Sequence, residues 1–432
     1  MGTLILVVLL MVESLFLIWT IKTDSTHREE KNIINIGLFG LILIFFATGI
    51  LEWSFRYSLL VLYMTIVTIY SVYRLLKKKE KAFVLHKSIK RFIFKAFILF
   101  TVTAMAIVFP QYKQIESSGP LEVATEKFTW VDESRQEVFS ENKENRAVTV
   151  DFWYPNNEGG KYPLVIFSHG AFGFSGSNYT TFTELASQGY VVASISHTYQ
   201  AFYTKDTSGK VTIVDSEFIS KASEINGKHD TRHEAEVYEI TREWMELRTQ
   251  DENFVIESIL KENKDQRGHP VFSRIDVEEI GLMGHSLGGA TSAEVGRMRS
   301  DIDAVIVLDG TMLGEEIDFQ NQSVVFNSEP YPVPLLNIYA EDHYENAMQH
   351  VGESYNNFNV TQNAVEAYET VFKGAGHLNF TDLPLFSPFL AKQLGVGDVD
   401  ARDCIKSMNQ VVLSFFDAYL KNGTEPIIEK EY

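Results

Sequence analysis

Gly284-His285-Ser286-Leu287-Gly288 places a serine between two glycines, directly after the apolar run Glu279–Met283. Gly289 and Ala290 open a helical pattern behind it. A serine at a strand-to-helix turn projects its hydroxyl clear of a sheet only if its neighbours lack bulk, and the glycines supply that space. The first N–H groups of the following helix then face the negative charge that develops when the hydroxyl attacks a carbonyl. The chemistry implied is nucleophilic acyl transfer, with Ser286 as the nucleophile.

Such a serine needs a base, and the base needs a group to orient it. At a turn of this kind the partners follow in the order serine, acid, histidine. Downstream of Ser286 lie His343, His350 and His377. His377 sits in Lys373-Gly374-Ala375-Gly376-His377, a small-residue loop after the apolar run Ala367–Phe372, and is the expected base. His343 and His350 lie in polar sequence and read as solvated surface residues. Two acids qualify as the orienter: Asp309, ending Ala304–Leu308, and Asp342, following Leu335–Tyr339. Pattern alone leaves both open. Phe167-Ser168-His169-Gly170-Ala171-Phe172-Gly173 follows another apolar strand and reads as an oxyanion loop. Ala171 and Leu287 are the expected N–H donors, with Phe172 the candidate substrate-binding residue. The acidic and histidine-rich clusters Glu341-Asp342-His343 and His229-Asp230-Thr231-Arg232-His233 lack a third ligand at metal spacing, so no metal and no other cofactor is expected.

These residues need a scaffold. Val123–Trp130, Val148–Trp153, Leu164–Ser168, Val191–Ile195, Glu279–Met283, Ala304–Leu308, Leu335–Tyr339 and Ala367–Phe372 read as strands. Helical patterns alternate with them at Thr181–Ser187, Ser286–Arg299 and Ile405–Leu420. Alternation of this kind predicts an α/β domain with a mostly parallel sheet and helices on both faces, over residues 113–432. The interval from His197 to Ile275 exceeds any simple crossover. Within it Val237, Ile240, Trp244 and Leu247 fall at helical spacing, while the polar stretch Tyr199–Asp230 predicts a loop or small cap; the whole insert spans about 199–275.

The 432-residue chain has formal charge −19, 45% hydrophobic and 13% aromatic residues. That aromatic content excludes disorder, and the net acidity excludes a general nucleic-acid binder. The single cysteine, Cys404, excludes an internal disulfide framework. The charge is unevenly divided. Residues 1–112 hold 13 Lys/Arg against 6 Asp/Glu, and the remainder 25 against 51. The basic part contains four apolar stretches, about 4–21, 33–51, 57–73 and 92–109, each long enough to cross a bilayer as a helix. The first lacks a basic start and a small-residue cleavage site, so it reads as a retained span. Lys22, Arg28 and Lys31 occupy the first link, and Arg74, Lys77, Lys78, Lys79, Lys81, Lys87, Lys90 and Arg91 the third. The positive-inside rule makes those links cytoplasmic, and the fourth span then delivers residues 113–432 outside the cytoplasm. Glu13 and Lys95 are the charges within spans, the feature that usually marks a transport path.

Phe167-Ser168-His169-Gly170, Gly284-His285-Ser286-Leu287-Gly288-Gly289-Ala290, Leu308-Asp309-Gly310 and His377-Leu378-Asn379-Phe380 resemble the plasma-type platelet-activating-factor acetylhydrolases, a family of α/β-hydrolases with lipase-like serine chemistry. The resemblance covers roughly residues 145–385. It implies the α/β-hydrolase fold and an ester or phospholipid substrate, and it favours Asp309 over Asp342 as the acid. The family's secreted members carry no four-span region, and the stretches 199–230 and beyond Asp382 are poorly matched. The sequence thus predicts a multi-pass membrane protein with a Ser286–His377–Asp309 triad that cleaves carboxylic esters, possessing short acyl specificity if the resemblance extends to substrate. A lipase-like long-chain esterase and a non-catalytic membrane sensor are the alternatives; its oligomeric state is not encoded in these patterns.

Overall fold

The eight apolar runs alternate with amphipathic stretches, and each becomes a strand of one sheet. The computed structural model describes residues 1–77, 83–140, 142–157, 159–225, 231–265, 268–421 and 423–432. The strands are β1 (Val123–Gln136), β2 (Asn145–Pro155), β3 (Tyr162–Ser168), β4 (Val191–Ser196), β5 (Ile275–His285), β6 (Ala304–Leu308), β7 (Leu335–Ala340) and β8 (Ala367–Phe372). Their order across the sheet is β1-β2-β4-β3-β5-β6-β7-β8. β1, β2 and β4 pair antiparallel, and every neighbour from β4 to β8 pairs parallel.

Strand alternation sends side chains to two covered faces. Leu164 and Ile166 of β3 join one buried cluster with Val255 and Ile259 of the helix Thr231–Lys264 and Ala293 of the helix Leu287–Met298. Val165 and Phe167 join the other, with Phe182 of Tyr179–Ser187 and Phe415 of Ala401–Leu420. Burial on both sides is why these strands read as unbroken apolar runs.

The long insert is more ordered than its polar composition suggests. Tyr203–Lys205 and Val211–Ile213 form an antiparallel hairpin, and Ser216–Ile225 is a helix. Phe218 and Ala222, one turn apart, anchor that helix against Trp244 and Met245 of Thr231–Lys264 and against Leu287. Phe218, Ile219, Ala222 and Ile225 recur at helical spacing, but over only ten residues set in a polar stretch. The expected helical face of Val237, Ile240, Trp244 and Leu247 lies on Thr231–Lys264, where Ile240 and Trp244 are buried. His229 and Asp230 lie outside the described residues.

The chain divides into two compact units, Gln114–Leu383 with Leu394–Tyr432, and Met1–Lys113 with Pro384–Gln393. The second of these contains the helices Gly2–Thr23, Arg28–Ala47, Phe55–Lys77 and Leu85–Val108, each long and apolar enough to cross a membrane. At ~1.5 Å per residue they are matched to a hydrocarbon core of ~30 Å. The helix Arg28–Ala47 stops four residues short of the apolar run, because Gly49 takes φ 75° and Thr48 N–H closes onto the Ile44 carbonyl at 2.9 Å. The other three run past their apolar stretches into charged flanks, since a helical backbone does not end where polarity begins. Leu9, Leu60, Met64 and Leu99 fill the bundle interior, whereas Leu4, Leu15, Ile44, Leu62, Ile66 and Phe97 face outward and exposed. Pro384–Gln393 joins this unit through Phe386, whose ring lies 5.1 Å from that of Phe109, and Ser387, whose hydroxyl donates to the Val108 carbonyl at 2.6 Å.

Glu252, on Thr231–Lys264, is fully buried and accepts one bond, from Ser292 at 3.2 Å; its second oxygen has no partner among the described residues. Burial pushes its carboxyl up to about 8, against the opposing pull of Ser292 and Arg248. A carboxyl raised in the folded state contributes stability below its unfolded pKa that is lost as pH climbs towards the folded value. Between pH 5 and pH 8 the melting temperature of the full chain in detergent should therefore fall further for wild type than for Glu252→Gln. Parallel pH profiles would contradict this.

Candidate active site

Ser286 is held at the end of β5 with φ 55° and ψ −126°, a conformation rare for a residue with a side chain. Its N–H donates to the Leu308 carbonyl of β6 at 2.8 Å, which fixes the turn against the neighbouring strand. β3 lies on the other side, with Ser168 paired to Gly284. A Cβ at residue 288 would sit 2.0 Å from the Ser168 carbonyl oxygen, so only glycine lets the helix start this close to β3. Packing of three strand ends thus creates the turn, and Ser286 remains partly accessible at its apex.

Asp309 follows β6 and is 1% exposed. Its Oδ2 accepts from His377 Nδ1 at 2.6 Å, and its Oδ1 accepts from His343 Nδ1 at 3.0 Å and from the Ala340 N–H at 2.7 Å. Burial alone would raise this carboxyl, but the bonds from His343 and His377 outweigh it and hold the group well below the usual carboxylate range. Asp309 is therefore an anion at any physiological pH. Asp342, the other candidate, accepts the His343 N–H at 2.8 Å and makes no hydrogen bond to His377 among the described residues.

His377 is half-buried in the loop after β8. Its ring lies 4.6 Å from that of His285, and His285 Nε2–H donates to the His377 carbonyl at 2.9 Å. This brings the imidazole beside the turn that carries Ser286. Ser286 and His377 share no hydrogen bond in this structure; such contacts commonly tighten only with substrate bound. Burial and the neighbouring His377 push the His285 imidazole down to about 3, so it stays neutral and acts as a spacer.

His343 is a correction to the sequence reading. It is not a free surface imidazole: besides Asp309 it exchanges a hydrogen bond with the Tyr355 hydroxyl at 3.1 Å. Burial would lower its pKa, but the Asp309 carboxylate outweighs this and raises it. Asp309, His343 and His377 also present ligand atoms within 4.8 Å of one another, a spacing a metal ion can use. Nδ1 of both histidines is already bonded to Asp309. Sequence gave no signal for His343 because it reaches Asp309 from the helix Glu341–His350, across the sheet end.

The loop after β3 abuts the serine: a Cβ on Gly170 would lie 3.0 Å from Ser286 Cβ. Phe172 takes φ 60° and is 40% exposed, its ring 5.1 Å from Phe218. Ala171 and Leu287 belong to one apolar cluster, and no group among the described residues accepts a bond from either backbone N–H. The loop is braced from below. Arg248, fully buried, donates from Nη1 to the His169 carbonyl at 2.5 Å and from Nε to Gln200 Oε1 at 2.6 Å, while the Phe172 N–H donates to the Gln200 carbonyl at 3.2 Å. His197 N–H donates to His169 Nε2 at 3.2 Å.

That brace contains a second Ser–His–Asp chain. Ser168 Oγ lies 2.8 Å from His197 Nε2, and His197 Nδ1 lies 3.1 Å from Asp251 Oδ2. Arg146 pairs with the same carboxylate through Nε and Nη2, at 3.1 and 2.6 Å, and with Glu137 at 2.8 Å. Ser168, His197 and Asp251 are all fully buried, so no substrate reaches them. Burial and Arg248 lower the His197 imidazole to about 4, leaving it neutral between its partners. None of Arg146, His197, Arg248 or Asp251 sits in a motif; a buried arginine opposite two acids is visible only once β2 and the long helix are side by side.

Comparison with known proteins agrees with this architecture. Residues 145–425 match the family described as platelet-activating factor acetylhydrolase, isoform II. The chain belongs to that family. A platelet-activating factor acetylhydrolase of Cavia porcellus is 25% identical over 284 residues, which cover 62% of this chain and 59% of the relative. One of Gallus gallus is 25% identical over 293 residues, covering 61% and 63%. The matches thus span less than two thirds of those relatives' own length. Among solved structures, a ferulic acid esterase from Streptomyces cinnamoneus aligns with a TM-score of 0.52 at 22% identity, over 72% of this chain and 94% of its own, a likeness of fold.

Ser286 and the buried Ser168–His197–Asp251 chain are separable by reactivity. A fluorophosphonate probe should label the full chain, lose its target in Ser286→Ala, and keep it in Ser168→Ala provided that variant folds. Labelling that survives Ser286→Ala would exclude Ser286 as the reactive serine.

Proposed function

We propose that this member of the family is a membrane-anchored serine hydrolase that cleaves carboxylic esters, with short-acyl phospholipid esters as its substrate class. The observation that carries the reading is the 2.6 Å bond between buried Asp309 and His377, set beside a serine at a strained strand-to-helix turn. His377 Nε2 takes the proton as Ser286 Oγ attacks the acyl carbonyl, and Asp309 stabilises the imidazolium that forms. The N–H groups of Ala171 and Leu287 hold the oxyanion, each donor worth roughly 3–4 kcal/mol of transition-state stabilisation. His377 returns its proton to the departing alcohol, then activates a water that releases the acid and frees Ser286. No step calls on a metal or an organic cofactor.

The substrate class follows from the walls. Phe172, Phe218 and Trp244 pack in a tilted row, with ring centroids 5.1 and 4.7 Å apart, and Phe218 and Trp244 share an apolar cluster with Ala171 and Leu287. An acyl chain of a few carbons would lie against this aromatic face. The acidity of the chain beyond residue 112 disfavours an anionic head group and suits a zwitterionic one. The four apolar helices provide the anchor. Their outward faces expose large apolar side chains, a costly arrangement in water and a favourable one in lipid. Lys31, Arg74, Lys77, Lys87 and Arg91 gather at one end of the bundle, which we assign to the cytoplasmic side; the catalytic residues then act outside the cytoplasm. Lys78, Lys79 and Lys81 of the same link lie outside the described residues.

With the full chain in detergent, turnover of acetyl esters should exceed that of butyryl and palmitoyl esters, and Ser286→Ala should abolish all three. Rates rising with chain length would make the enzyme lipase-like, and absence of serine-dependent turnover would favour a non-catalytic sensor. Asp309→Asn should cost roughly 10³–10⁴-fold in kcat by mis-setting the His377 tautomer, whereas Asp342→Asn should cost less than about tenfold. The reverse ranking would transfer the orienting role to Asp342.

A further inference from the structure

Inside the helical unit, at the end where the basic links gather, lies a cavity of about 340 Å³. The one acidic side chain on its wall is Glu13, and that carboxylate is already satisfied: it accepts from Lys31 Nζ at 2.5 Å and from Lys95 Nζ at 2.9 Å. Glu13 and Lys95 thus compensate one another across two helices, which gives the span charges a structural role in place of a transport path. Arg28, Arg74 and Arg91 line the same cavity, and among the described residues none of the three forms an ion pair. Arg28 Nη1 is buried with no hydrogen-bond partner. Ser71, 1% exposed and also on the wall, has an unpartnered hydroxyl.

Three guanidinium groups converging without an ion-pair partner among the described residues, one of them with a buried unpartnered N–H, beside the unpartnered Ser71 hydroxyl, describe a site that lacks its anion. Guanidinium presents N–H pairs that match two oxygens of a phosphate, and such pairs strengthen as water is excluded. Basic cavities between membrane helices on the cytoplasmic side suit the head groups of acidic lipids.

We propose that this cavity binds a phosphate-bearing anion, carried by the head group of an acidic phospholipid or present as free phosphate, with Arg28, Arg74 and Arg91 as the ligating cations and Ser71 as an added donor. The site is separate from the Ser286 turn and leans on the preceding section only for insertion of the helices in lipid. The acyl chains of a lipid would then lie along the exposed apolar faces of the bundle, tying the anchor to the acidic leaflet.

The test is equilibrium binding to the full chain in mixed micelles, using radiolabelled phosphatidylglycerol and phosphatidylcholine at equal mole fraction. One saturable phosphatidylglycerol per chain is expected, preferred over phosphatidylcholine by at least roughly tenfold. Arg28→Gln/Arg74→Gln/Arg91→Gln should erase that preference, the matching triple Arg→Lys variant should retain part of it, and Lys77→Gln/Lys87→Gln, outside the cavity, should leave it intact. Arg74→Gln alone and Ser71→Ala serve as milder variants and should each weaken binding severalfold. Millimolar inorganic phosphate separates the sources: displacement of the lipid, with saturable binding of labelled phosphate, assigns a free anion, and resistance assigns the lipid. Equal binding of the two lipids with no binding of phosphate overturns the site, as does a preference that survives both the triple and the single arginine variants in folded protein. Because the readout is binding, loss of ester turnover would not affect the result.

Discussion

A carboxylate buried at the end of a parallel sheet governs much of this molecule. Asp309 is removed from water, an expense that burial imposes on any anion, and three donors offset it: His377, His343 and the Ala340 N–H. Those donors come from the loop after β8, the helix after β7 and the end of β7 itself. The acid therefore couples three successive connections at one sheet edge, and the direction of the His377 imidazole is a consequence of that coupling. Removing Asp309 would leave two histidines and a backbone N–H without their acceptor at once.

The opposite side of the serine is organised by a second buried ionic group. Arg146 on β2 meets Asp251 and Glu137, Asp251 holds His197, and His197 holds Ser168 and His169. Breaking a buried pair of this kind leaves an uncompensated charge, at a cost of roughly 3–5 kcal/mol. Its product is position: the loop from His169 to Gly173 is fixed against the Ser286 turn, with Gly170 beside that serine. Arg248 and Gln200 complete that support from the long helix and the insert. The two ionic centres flank Ser286, one on each side, and both are built from residues distant in sequence.

The sheet was legible because its central strands are buried on both faces, which leaves short continuous apolar runs such as Leu164–Ser168 and Ala304–Leu308. The serine turn was legible for a related reason, since close approach of backbone forces glycine at fixed positions, as at Gly288 beneath the Ser168 carbonyl. His377 stood out by its small-residue loop. The candidate acid did not stand out by pattern: Asp309 and Asp342 both follow strands, the family resemblance favoured Asp309, and in the structure it is Asp309 that bonds His377. His343, Arg146 and Asp251 were invisible as a set, because their meaning depends on pairings between elements more than 30 residues apart. The helix Ser216–Ile225 escaped because its apolar face of Phe218, Ala222 and Ile225 spans only ten residues inside a polar stretch.

The proposed acyl transfer runs through Ser286 under the direction of His377 and Asp309. Acid quenching of the full chain during turnover of an activated acetyl ester, followed by peptide mass spectrometry, tests it most directly. An acetyl group is expected on the peptide bearing Ser286, formed far more slowly in His377→Ala because the same imidazole deprotonates the serine. An acetyl group on the peptide of Ser168, or ester turnover with no acetylated serine at any time point, would contradict it.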